Sequence, residues 1–258
     1  HAHRSPLDFS HAIMMSCNAY FCYVLKGILE NPEYGNMDES FTKWRDYVES
    51  MGFGKKLGSD FPAELGGTLP TADTYNKIYG RGSWKSSTVI SLSIGQGEIG
   101  TTPLHLANLA ATIANRGYYI TPHLVKSIPD STICERYTKR NYTAIDSKYF
   151  DPVVEGMYMA VNSRPGEGGT ATRAKVEGLD ICGKTGTAQN PHGKDNAVFI
   201  CFAPRENPKI AVAVYIENAG FGGTWAAPVA SLIVEKYLTG TITRPELEKY
   251  MAETNLIP

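Results

Sequence analysis

Gly178-Leu179-Asp180-Ile181-Cys182-Gly183-Lys184-Thr185-Gly186-Thr187-Ala188-Gln189 constrains this chain more than any other stretch. Its first half is apolar and partly β-branched, which suits a buried strand. Its second half places a cation, two hydroxyls and a residue without Cβ side by side, which is how a strand edge that holds an anion reads. Lys184 supplies charge, Thr185 and Thr187 supply hydroxyl donors, and Gly186 lets a ligand approach the backbone. A plain Lys-Thr-Gly turn uses the same letters, so the rest of the chain has to decide.

Two nucleotide-binding patterns are present on paper. Gly178 to Thr185 spells a phosphate loop: glycine, four residues, then Gly-Lys-Thr. Such a loop works where a strand turns into a helix. Here Leu179 to Cys182 reads as strand, and Gly186 to Gly193 reads as a turn rather than a helix. Gly95-Gln96-Gly97-Glu98-Ile99-Gly100 has dinucleotide-loop spacing, between a strand reading of Thr88 to Ile94 and a helix from Pro103 to about Asn115. Thr102 as N-cap and Pro103 at the first helical position start that helix after the third glycine, whereas the dinucleotide fold opens it inside the motif.

The 258 residues suffice for one sizeable core or two small ones. With 42% hydrophobic and 20% charged residues the chain reads as globular, and a net charge of -1 gives no reason to expect nucleic acid as a partner. No apolar run approaches the roughly 18 to 20 residues of a membrane span, and no basic-then-apolar leader stands at the start. Five cysteines without a Cys-x-x-Cys pair indicate neither a zinc site nor a dense disulfide framework. Cys182 and Cys201 stand on the two arms of a hairpin centred on Pro191-His192, where geometry decides whether they face and bond. His1 and His3 form only a faint metal pattern, better read as an exposed terminus, and no cofactor is expected.

Asp8 to Leu29 has helical spacing, with Asp8 or Ser10 as cap, broken at Ser16-Cys17-Asn18 because Ser and Asn compete for backbone hydrogen bonds. A second helix covers about Asp38 to Met51 and contains the formal Ser-x-x-Lys of Ser40 and Lys43, read as a chance match on a polar helix face. Gly54 to Ser87 reads as long loops with one short helix near Asp73 to Tyr79. Tyr118 to Ile128 and Ile133 to Tyr142 form a two-stranded excursion around Pro129-Asp130-Ser131. A helix over Ser147 to Val161 and a loop over Asn162 to Thr172 follow. Strands Leu179 to Thr187, Ala197 to Ala203 and Lys209 to Glu217 are joined by turns short enough to force antiparallel neighbours. Helix Thr224 to Leu238 brings Ala226, Ala227 and Ala230 to pack on that sheet, and Thr243 to Pro258 reads as a short charged tail. The fold class is therefore mixed α+β: an antiparallel sheet flanked by helices (164–242), a mostly helical lobe (1–163) and a tail (243–258).

Lys-Thr-Gly preceded by Ser-x-Asn is the set used by penicillin-recognising serine enzymes, and Ser16-Cys17-Asn18 supplies the second member. The chain resembles class B penicillin-binding proteins of the elongation type (penicillin-binding protein 2). The resemblance rests on Ser16 to Asn18, Gly95 to Leu104, Gly183 to Gln189, His192 to Ala197, Phe202-Ala203-Pro204 and Gly222-Gly223-Thr224, and covers nearly the whole chain. It implies the penicillin-binding, serine β-lactamase-like transpeptidase fold and a D,D-transpeptidase that cross-links peptidoglycan stem peptides through an acyl-serine.

By that resemblance Ser16 relays a proton to the leaving group, Asn18 bonds the peptide amide, and Lys184 belongs to the same proton network. Thr185 and Thr187 would hold the substrate carboxylate that β-lactams mimic, with the Thr187 N–H completing an oxyanion hole. The implied partners are D-Ala-D-Ala stem peptides, β-lactams and a membrane glycosyltransferase, at the periplasmic face of the bacterial inner membrane. Other readings are a non-catalytic penicillin sensor and a phosphate-loop nucleotide binder. One departure stands out: the family's nucleophile lies on a Ser-x-x-Lys tens of residues before Ser16, and fifteen residues precede it here. A truncated, inactive domain of low stability, or one that self-associates, is the resulting expectation.

Overall fold

The computed structural model describes residues 5–256. Its helices are α1 Phe9–Met14, α2 Asn18–Leu29, α3 Met37–Ser50, α4 Ala72–Tyr79, α5 Pro103–Ala114, α6 Asp151–Asn162, α7 Ala226–Thr239 and α8 Pro245–Glu253. Its strands are β1 Tyr118–Ile120, β2 Arg140–Tyr142, β3 Cys182–Ala188, β4 Asn196–Ala203 and β5 Ile210–Ile216. Contacts divide the chain into two compact units that interleave in sequence. One holds residues through Ser16, Ala110–Arg116 and the chain from Ser147, and the other holds Cys17–Leu109 and Gly117–Asp146.

In the first unit β3, β4 and β5 form an antiparallel sheet in that order. Ala197, Phe199, Cys201 and Ala203 of β4 are fully buried in one cluster with Ala226, Ala227, Ala230 and Val234 of α7. Side chains alternate across a strand, so only small residues on α7 let the helix lie this close to one face. Cross-strand register then sorts β3. Gly183 and Thr185 oppose Cys201 and Phe199 and share the α7 face, while Cys182 and Lys184 oppose Phe202 and Ile200 and share the other. Cys182 and Cys201 therefore point to opposite faces and remain free thiols. Burial pushes both up to about 12.

The tail expected over Thr243 to Pro258 is helical as α8 across Pro245–Glu253. The reason is tertiary: Glu235 of α7, 1% exposed, accepts from the Thr243 N–H and hydroxyl and from Arg244 Nε and Nη2, which fixes the connection into α8. Burial alone would raise the Glu235 pKa, but those hydrogen bonds outweigh it and the net direction is down. The last two residues of that tail, and the His1 and His3 pattern, lie outside the described residues. Among the described residues no group of His, Cys, Asp or Glu could hold a metal ion, and no helix is long and apolar enough to cross a membrane.

The second unit packs Leu25, Leu29, Phe41, Tyr75, Trp84, Val89 and Leu92 into its own core. Thr88 to Ile94, expected as a strand, lies in a 3-10 helix over Ser86–Ile94 that is closed by Gly95 in the left-handed conformation. The glycine loop then returns to pair Gly100 with Thr68 through two backbone hydrogen bonds of 2.7 and 3.0 Å, and Thr102 caps α5 through the His105 N–H. With no strand before the loop, the dinucleotide pattern has no phosphate cradle. The two-stranded excursion is shorter than expected, three residues per strand, with Tyr118 opposite Tyr142. Ser40 is fully buried on α3 and donates to the Asn36 carbonyl, while the Lys43 ammonium lies over the Tyr34 ring. This Ser-x-x-Lys is helix scaffolding.

Candidate active site

Asp8 caps α1 by accepting from the His11 N–H at 2.8 Å, and α1 ends at Met14. Helix α1 crosses α6 at Gly156, where a Cβ would stand 2.7 Å from Ile13 Cβ and 2.8 Å from the Ser10 carbonyl oxygen. Asn162, at the end of α6, donates to the Ile181 carbonyl at 2.9 Å just before β3. One helix thus holds both the turn that bears Ser16 and the strand that bears Lys184.

Ser16 adopts φ +54, a left-handed backbone that costs a non-glycine residue roughly 1 kcal/mol or more. That conformation swings its hydroxyl toward the sheet. Lys184 Nζ donates to Ser16 Oγ and to the Thr185 carbonyl, both at 2.8 Å. The two residues are 168 positions apart and nothing local links them. Lys184 is partly buried, and burial brings its ammonium down from 10.5 to about 8. A lysine of this kind is close to the point where it can exchange a proton at neutral pH.

Such a depressed value has a stability consequence. Below about pH 8 folding carries the full cost of burying the charge. Between about 8 and 10.5 the folded chain has released a proton that the unfolded chain still holds, so stability rises with pH. Relative to a Lys184→Met variant, the wild type is expected to gain about 3 kcal/mol across that window. Urea titrations of both proteins at pH 7 and pH 10.5 measure the difference. A constant gap between them would contradict a buried ammonium.

Thr185 Oγ1 donates to Thr170 Oγ1 at 3.2 Å, so that hydroxyl is engaged inside the protein. Gly186 and Thr187 continue the strand, partly buried. Asn18 opens α2 in the second unit and is exposed, with Cys17 Sγ accepting from the Tyr20 N–H as cap. Of the residues singled out from the sequence, the structure brings Ser16 together with Lys184, while Thr185 meets Thr170, which was not among them. The strand reading of Leu179 to Cys182 is corrected: Asp180 has φ +42 and β3 starts at Cys182. Because Lys184 sits within a strand followed by a turn, the phosphate-loop pattern has no helix N-terminus to offer a phosphate.

Sequence reasoning missed three supports: Thr170, Asn162 and Gly156. Gly168-Gly169-Thr170 was legible only as a loop. The glycines Gly222 and Gly223, known only through resemblance, have a physical reason. A Cβ on Gly222 would stand 2.1 Å from the Val198 carbonyl oxygen and 2.4 Å from that of Gly186, and one on Gly223 would stand 2.6 Å from that of Thr170.

The site thus consists of an antiparallel sheet backed by α7, with a lysine on β3 hydrogen-bonded to a serine at a helix-ending turn. The chain belongs to the penicillin binding protein transpeptidase domain family, which matches residues 1–235. It is 31% identical to the peptidoglycan D,D-transpeptidase MrdA of Haemophilus influenzae over 94% of this chain and 38% of that protein. The MrdA of Acinetobacter baumannii is 30% identical over 90% of this chain and 34% of its own length. A crystal structure of Pseudomonas aeruginosa PBP2 in complex with WCK 5153 superposes with a TM-score of 0.76 at 29% identity, covering 93% of this chain and 50% of that one. The chain thus spans half or less of the length of each of these relatives.

Proposed function

We propose that this chain carries the Ser-x-Asn and Lys-Thr-Gly recognition elements of a peptidoglycan D,D-transpeptidase of the elongation type, working at the periplasmic face of the bacterial inner membrane. The supporting observation is the 2.8 Å hydrogen bond from Lys184 Nζ to Ser16 Oγ. In this reading a nucleophilic serine attacks the carbonyl of the penultimate D-alanine of a stem peptide. The C–N bond to the last D-alanine breaks, and its nitrogen takes a proton through Ser16, which Lys184 resupplies. An amine of a second stem peptide then attacks the acyl-serine and releases the serine.

Asn18 holds the peptide amide. Gly186 gives the acyl chain access to the β3 backbone, and the Thr187 N–H stabilises the tetrahedral oxyanion. The β3 hydroxyls of Thr185 and Thr187 hold the substrate carboxylate, and Thr185 also donates to Thr170. A β-lactam presents the same carboxylate and carbonyl. The expected protein partner is a membrane glycosyltransferase, and a penicillin sensor differs from this reading only in lacking turnover.

The test is a titration with an N-acylated Lys-D-Ala-D-Ala peptide, followed through backbone amide shifts. Perturbation should centre on Gly186, Thr187 and Ala188 and vanish in Thr187→Val. Peptide-independent spectra, or shifts across 178–185 with ATP instead, would overturn it.

A further inference from the structure

Thr170 belongs to a loop that carries no assigned role, yet it forms the centre of a directed hydrogen-bond chain. Thr185 Oγ1 donates to Thr170 Oγ1, and Thr170 Oγ1 donates to the Met14 carbonyl, each at 3.2 Å. A hydroxyl offers one proton and two lone pairs, so both bonds form at once without conflict. Their ends are informative. Thr185 follows Lys184 on β3, and Met14 stands two residues before Ser16. The chain of bonds therefore ties together the same two elements that the Lys184–Ser16 bond joins, from the opposite face of β3.

Thr170 is itself firmly held. The next residue, Ala171, donates its N–H to the Ala160 carbonyl of α6 at 2.9 Å, and Gly223 packs against the Thr170 carbonyl too closely to admit a Cβ. A cleft of about 1260 Å³ lies against the end of α1, lined by Met14, Met15, Met159 and Thr170 among others. Ser16 must also keep its left-handed backbone, which relaxes unless its surroundings over-determine it. We propose that Thr170 is a positioning residue that locks the end of α1 to β3 and so keeps Ser16 within hydrogen-bond reach of Lys184. This rests on the reading of Ser16 and Lys184 as the transpeptidase pair.

The experiment reads Lys184 directly. In the chain labelled with ¹³Cε-lysine, the Lys184 resonance is assigned by its loss in Lys184→Met and titrated by NMR. Desolvation is what holds this lysine down, and no neighbouring charge among the described residues contributes. Loosening α1 admits water and should move the titration of Thr170→Val upward by about one pH unit or more. Thr170→Ser keeps the hydroxyl and should restore the wild-type curve. Thr170→Val combined with Thr185→Val should move it no further than either alone, since both cut one chain of bonds.

A purely structural role would lower the melting temperature of Thr170→Val and leave the Lys184 titration in place, overturning the proposal. Additive shifts in the double variant would do so too. A wild-type Lys184 that titrates at its ordinary value would instead remove the transpeptidase-site reading itself. Should Thr170→Val not fold, Thr170→Ala makes the same comparison.

Discussion

Gly222→Ala is expected to destabilise the folded chain by about 3 kcal/mol, at the upper end of overpacking costs. The atoms that meet the new Cβ are carbonyl oxygens of Val198 and Gly186, on two neighbouring strands. A flexible side-chain tip could swing away, but these oxygens belong to the β3–β4 ladder, where Gly186 opposes Val198. Moving them means breaking cross-strand hydrogen bonds or displacing the turn in which Ala227 N–H bonds the Gly222 carbonyl at the start of α7. Gly27 is the control. It is exposed on α2 with nothing within 4 Å of a built Cβ, so Gly27→Ala should stabilise by roughly 0.5–1 kcal/mol through helix propensity. Urea denaturation of the three proteins tests the contrast. A Gly222→Ala midpoint equal to wild type would show that the turn does not sit on the ladder.

The second large effect is all-or-none. Incubated at pH 7 with a reactive penicillin, the 258-residue chain is expected to keep its mass in intact-protein mass spectrometry. Acylation requires an accessible serine hydroxyl beside a base. Ser40 is fully buried and donates to the Asn36 carbonyl, and its lysine companion lies over the Tyr34 ring. Ser16 has a lysine beside it, but Lys184 Nζ donates its hydrogen bond to the Ser16 hydroxyl, whose proposed role is that of a proton relay. An adduct lost in Ser40→Ala would make the α3 motif the nucleophile. An adduct lost in Ser16→Ala would give Ser16 a nucleophilic role instead of a proton-relay one. Either result would displace the roles assigned here.

Much of the architecture was legible because it follows local rules. Helical spacing and the turn-forming pair Ser16 and Asn18 placed α1 and α2 within a residue or two of their observed ends. Two short turns forced β3, β4 and β5 to run antiparallel, and the Ala-rich face of α7 marked the side that packs on them. The misreadings share one cause. Thr88 to Ile94 is apolar and β-branched enough for a strand, yet it has no strand partner and winds as a 3-10 helix. The charged tail looks solvated until Glu235, on another helix, satisfies its backbone. Local composition cannot see such partners.

By itself the sequence determined which chemical groups this chain owns: a Ser-x-Asn, a Lys-Thr-Gly and the strand that bears it. Tertiary structure alone decided their relations. Strand register put Lys184 and Thr185 on opposite faces of β3, separated Cys182 from Cys201, and engaged the Thr185 hydroxyl with Thr170. Folding also brought Ser16 across 168 positions to Lys184 and withdrew enough water to lower its pKa. Residue identity fixes what a group can do, but its distance, face and hydration depend on segments remote in the chain, and those arise only when the chain packs.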